Sequence, residues 1–204
     1  MKILALMAQK GGCGKSTLAR NLAVAALLDG KRTVIIDADP QQTCVKWRSR
    51  RSEEAPTVVA LEGQPLKELM AQIAAAGPDL VIIDTPPHLR AVISAAAELA
   101  TAALLPCRAT PEDLEALGGS VAILHGKRSG IVFNGVPPKG TALTMARGAA
   151  GALALPVCPT AVTERVSFPY ASAEGATVLE REPGGKGAAE ILAVWAWVRD
   201  SLLA

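Results

Sequence analysis

The sequence predicts a single α/β domain, a mostly parallel, twisted β-sheet with helices on both faces. Two observations predict it. Short apolar runs alternate with longer Ala-rich stretches along all 204 residues. The runs are continuously apolar, as in parallel strands buried on both sides. Half of the residues are hydrophobic but only 3% are aromatic, which suits helices packed on a covered sheet. The length is enough to bury a substantial core.

In chain order, KILALMA (2–8), RTVIID (32–37), TVVAL (57–61), DLVIID (79–84), AALLPC (102–107), SGIVFN (129–134) and ALPVCP (154–159) read as strands. Each is a short aliphatic run bounded by turn residues. Helices are expected at 15–29, 41–51, 65–76, 89–100, 111–124, 140–152, 165–174 and 186–203. The clusters GQP, GPD, TPP, GVPPKG and EPGGKG fall between these elements, where turn chemistry places Pro and Gly. No long polar linker or internal repeat divides the chain. One domain is expected, without a separate DNA-binding domain ahead of it.

A net charge of +2 does not by itself mark a nucleic-acid binder, so such a function would need a local basic patch. The four cysteines (13, 44, 107 and 158) form no C-x-x-C pair, and His88 and His125 stand apart from them. That spacing excludes a common metal motif and points to reduced thiols. The apolar start ILALMA is too short to span a membrane and leads into glycines instead of a cleavage site. A soluble, cytoplasmic protein is expected.

The stretch QKGGCGKST, Gln9 to Thr17, carries the chemistry. It joins the first strand to an Ala-rich helix, so loop and helix amides point at an anion and the helix dipole adds attraction. Gly11, Gly12 and Gly14 let the backbone approach phosphate closely. Lys15 would reach the β- and γ-phosphates, Ser16 would ligate Mg²⁺ and Thr17 would contact the α-phosphate. Cys13 completes the loop; a thiol near a helix N-terminus can have a lowered pKa, but a small residue that fits is the simpler reading. Asp84 ends a strand, where a carboxylate would hold Mg²⁺. Asp37 ends another, as either a site residue or an ordinary helix cap. Two features depart from the usual loop: Gln9 replaces a glycine, and a second lysine, Lys10, precedes Lys15.

KGGCGKST, DADPQ and VIIDTPP, in this order, closely resemble the ParA/MinD family of deviant Walker ATPases. The chain looks like the small plasmid-type ParA proteins, of the ParF kind. The resemblance implies a P-loop NTPase fold and a weak Mg²⁺-dependent ATPase that forms an ATP-sandwich homodimer. Lys10 would reach the ATP of the other subunit. Asp39 would position the attacking water and the Mg²⁺ shell, while Asn134 and Pro159 would flank the adenine. In the ParA branch the ATP dimer binds nonspecific DNA on the nucleoid. A ParB-like or other cargo adaptor then stimulates hydrolysis, which segregates or positions plasmid, chromosome or protein cargo.

The MinD branch instead binds membrane through a basic amphipathic C-terminal helix. Here the last helix has a wide apolar stripe but only Lys186 and Arg199 as basic residues, so a core-packed helix is expected and no membrane partner. DNA contact would draw on Arg147, Arg165, Arg181, Lys186 and Arg199, with further clusters at Lys46, Arg48, Arg50 and Arg51 and at Lys127 and Arg128. A metabolic or metal-insertion P-loop ATPase is the alternative of a different class. Insertion chemistry would call for a C-x-x-C pair, which the sequence lacks.

Overall fold

The computed structural model describes residues 1–124 and 126–204; His125 lies outside the described residues. The strands are β1 (Lys2–Leu6), β2 (Thr33–Asp37), β3 (Thr57–Ala60), β4 (Leu80–Asp84), β5 (Ala102–Cys107), β6 (Ser129–Val136) and β7 (Val162–Thr163). They form one sheet in the order β3-β2-β4-β1-β5-β6-β7, and each pairing is parallel. Parallel neighbours need crossovers. These are α1 (Lys15–Leu28), α2 (Thr43–Ser49), α3 (Leu66–Ala75), α4 (Arg90–Leu99), α5 (Pro111–Leu124) and α6 (Ala142–Ala150). After β7 come α7 (Ser167–Ala173), α8 (Val178–Arg181) and α9 (Lys186–Trp197).

The strand period of two divides the core into layers. On one face Leu4, Leu6, Ile35, Leu80 and Ile82 pack with Leu18 and Leu22 of α1 and Ile191 and Val194 of α9. On the other, Ile3, Ala5, Ile36, Val81 and Ile83 meet Leu69 of α3, Ile93 of α4 and Leu117 of α5. After β1 the chain crosses to β2, and β4 returns between them before the sheet grows the other way through β5. In sheets with such a reversal the usual ligand position is at the carboxyl ends of the strands beside it, here β1 and β4.

Three expectations need correction. Residues 154–159 are not a strand, although Val157 bridges Ile131. The backbone of this stretch shares two hydrogen bonds with Ile131, whose N–H donates to Pro156 O and whose carbonyl accepts from Cys158 N–H. Pro159 then offers no donor, and pairing resumes at β7 beyond an irregularity between Asn134 and Val136. The short helix α8 was not expected; its signal is Thr177-x-x-Glu180, which forms a capping box. The closing helix does not run unbroken from 186 to 203, because a π-helical turn follows at Val198–Leu202.

Candidate functional site

The loop begins where β1 stops pairing, with Met7 N–H bonded to Leu104 O at 3.0 Å. Gly12 (φ 78°) and Gly14 (φ 88°) occupy the left-handed region, which glycine enters without a Cβ penalty. Gly14 is required twice, since a Cβ there would lie 2.0 Å from Asn134 Nδ2. That amide donates to Cys13 O at 2.8 Å, so Asn134, at the end of β6, is tied to the loop backbone. Lys15 is buried and its Nζ reaches Ala8 O at 3.3 Å. The first amides of α1 have no acceptor within the helix and are free to meet an anion. Cys13 is buried, and burial raises its pKa, outweighing the neighbouring Lys15 charge. The lowered value considered from its helix position is not found.

The carboxylates divide by partner. Asp37 and Asp84 stand opposite one another in the β2–β4 register. Asp37 Oδ2 accepts from the N–H groups of Cys44 (2.8 Å) and Val45 (3.0 Å), and Oδ1 from Asp39 N–H (3.3 Å). It therefore serves as an anchor for the first turn of α2. Asp84 is fully buried, Oδ2 accepts from the Cys44 thiol at 3.4 Å, and Oδ1 has no partner. Burial raises its pKa to about 6, against hydrogen bonding by Ser16. A buried carboxylate with an orphaned oxygen beside Ser16 is a fit for a hydrated divalent cation. Asp39 is half-buried in a tight turn, with its Oδ1 accepting from Gln41 N–H at 2.9 Å. The turn closes with Gln42 at φ 51°, a strained conformation at the rim of the site.

Lys10 points away from its own loop. Its Nζ donates to Asp113 Oδ2 at 2.8 Å, and the Thr110 hydroxyl donates to the same oxygen at 2.6 Å. Burial opposes ionisation of Asp113, but the bonds from Lys10 and Thr110 outweigh it and hold its pKa below the usual value. Gln9 is explained by the same helix, α5. Its N–H lies 3.3 Å from Ser120 Oγ, and a Cβ on Gly119 would come within 2.5 Å of its Oε1. Gln9 and Lys10 thus dock the loop along α5. Sequence reasoning passed over Asp113 and Gly119; the only signal was a Gly-Gly pair inside a helix, which costs stability unless something packs there.

Pro159 is exposed, and its carbonyl accepts from Arg147 at 2.6 Å beside a cleft of about 280 Å³. Three of the five suggested DNA-contacting residues are ion-paired within the chain. Arg165 pairs with Glu190, Arg181 with Glu174, and Arg199 with Asp29 and Asp200. Lys186 and Arg199 lie at opposite ends of the closing helical segment, about 20 Å apart by helix rise. In the earlier cluster Arg51 is consumed inside the fold, stacked on Trp47 and paired with Glu180. Lys127 donates to the carbonyls of Glu98 and Ala100, and Arg128 to that of Ala204.

Convergent amides, a buried lysine and a carboxylate set for a cation are the parts that stabilise charge on a transferring phosphoryl group. Lys15, Ser16 and Asp84 would hold a magnesium nucleotide; the cation would neutralise charge developing on its phosphates. Known proteins agree. Over 199 residues the chain is 28% identical to maintenance of carboxysome distribution protein A of Halothiobacillus neapolitanus, covering 92% of this chain and 91% of that one. It is 30% identical to the chromosome-partitioning ATPase Soj of Thermus thermophilus over 63% of both chains. The MinD cell division protein of Aquifex aeolicus shares the fold, with TM-score 0.79 and 14% identity across 98% of this chain and 97% of that one. The profile of the CobQ/CobB/MinD/ParA nucleotide binding domain matches residues 4–178, and the chain belongs to that family.

Proposed function

We propose that the protein is a ParA-type ATPase that couples ATP binding and hydrolysis to positioning of a plasmid, chromosome or protein cargo. One observation carries this reading. Lys10 sits on the rim of the phosphate loop, its side chain 44% exposed and held by a single ion pair to Asp113. A cation beside the loop but turned from it suits a phosphate presented by a second copy. Two copies facing through their loops would enclose two nucleotides, each lysine stabilising charge across the interface. The names of the two relatives, which refer to carboxysome distribution and chromosome partitioning, support a cargo of this class.

In this reading the ATP dimer binds nonspecific DNA and an adaptor protein stimulates hydrolysis and release. Because Arg165, Arg181 and Arg199 of one copy are paired with carboxylates, the DNA surface would be assembled by dimerisation. The direct test is fluorescence anisotropy of a labelled random-sequence duplex with Mg²⁺ and either ATP or ADP, at two salt concentrations. Binding with ATP alone, weakened by salt, is expected; no binding with either nucleotide refutes the DNA step. Asp39→Ala should still form the ATP dimer while hydrolysis falls about 100-fold, read by light scattering and phosphate release. A variant that no longer dimerises would count against the assignment of Asp39.

A further inference from the structure

A second cavity, of about 590 Å³, opens on the outer side of Thr17 between α1, α2 and α7. Its walls include Thr17, Arg20, Thr43, Lys46, Arg50 and Ser172, with no carboxylate among the lining residues. Arg20 is only 6% exposed. Among the described residues its guanidinium makes one side-chain hydrogen bond, to Thr17 Oγ1 at 3.5 Å, the limit of the range. Burial works against its charge and Arg50 adds repulsion, while the Asp84 and Asp37 carboxylates favour the charge without bonding to it. Arg50 donates to the carbonyl of Ser172 at 3.2 Å. Lys46 has no ion-pair partner among the described residues and is exposed.

A largely buried guanidinium that makes one long hydrogen bond and lines an open cavity has donors left for an anion that enters it. Three cations and three hydroxyls around one cavity specify that acceptor as a compact, multiply charged oxyanion. We propose that this cavity is a phosphate-binding site separate from the phosphate loop, taking a phosphate group that is free or carried by a small molecule. It does not depend on the DNA reading above. Thr17 belongs to both sites.

The test is calorimetric titration of inorganic phosphate into protein saturated with Mg²⁺ and a non-hydrolysable ATP analogue, which fills the loop. The wild type should bind one phosphate per chain. Arg20→Met should weaken that binding at least about tenfold, the loss expected for a charge-assisted hydrogen bond. Arg20 is buried, so Lys46→Ala/Arg50→Ala, both exposed, is measured in parallel; it should lose at least about as much. Absence of phosphate binding, or binding unchanged in both variants, overturns the proposal. A short DNA duplex forms the second arm. If the duplex binds and phosphate does not, with duplex binding lost in the double variant, these cations meet a nucleic-acid backbone and the small-ligand site is refuted.

Discussion

At the residue scale, the site depends on a few positions where one atom more or less decides the outcome. Gly14→Ala would put a methyl group 2.0 Å from Asn134 Nδ2 at a φ of 88°. The expected cost is about 1–3 kcal/mol of stability together with loss of nucleotide binding, measurable by denaturant unfolding and nucleotide titration. Asp84 sets a pH dependence. Its folded-state pKa of about 6 lies above the unfolded value of about 3.9, so folding favours its protonated form. That contribution is fully present below about pH 4 and lost as pH rises through about 6. In metal-free protein Asp84→Asn should therefore remove a loss of stability across this window, read as the difference between wild-type and variant thermal melts; no difference in their pH dependence would refute the assignment. The phosphate loop and Asp84 were legible in the sequence because strand, glycine run, lysine and strand-end carboxylate are local patterns. The partners of Lys10 and Gln9 were not, since Asp113 and Ser120 lie more than a hundred residues away along the chain.

At the element scale, the short helix α2 is held by contacts at both ends. Asp37 accepts two backbone amides at its start, from Cys44 and Val45, and Arg51 beyond its last turn bonds Glu180 and the Gly175 carbonyl. Asp37→Ala should destabilise the fold by about 1–3 kcal/mol, since buried donors lose their acceptor. Asp37→Asn, which keeps acceptor oxygen, should lose less. Equal losses in urea unfolding would mean that the negative charge, rather than the amide contacts, is what α2 needs. The two roles of Asp37 that the sequence left open are thus separated by what the carboxylate touches. Arg51, readable as part of a basic surface cluster, is instead stacked on Trp47 with its side chain 4% exposed. The net charge of a segment could not reveal this, because the acid that pairs with it comes from α8.

For the whole molecule, α9 closes one layer of the core. Ile191, Val194 and Trp195 are buried beneath it, and Gly130 of β6 is without a side chain where Trp197 would come within 2.4 Å of a Cβ. Ile191→Ala should cost about 2–5 kcal/mol, checked by chemical unfolding. The same packing predicts that the protein does not move to anionic lipid vesicles when ATP is added, because Ile191, Val194, Trp195 and Val198 of the apolar stripe are already buried. ATP-dependent cosedimentation with vesicles would show that α9 leaves the core and would overturn that reading. No helix among the described residues is long and apolar enough to cross a membrane.

By itself the sequence determined the alternation of strand and helix, the burial of both sheet faces, and the glycine-rich loop suited to phosphate. These follow from the spacing of neighbouring residues, which needs no long-range contact to be read. The tertiary structure decided which charges remain available. Of the basic residues suggested for DNA, Arg165, Arg181 and Arg199 meet carboxylates, whereas Arg20, hidden in a helix of ordinary appearance, lines a cavity nearly unpaired. A cation's partner is set by packing between distant segments, and only the folded chain brings those segments within hydrogen-bond reach.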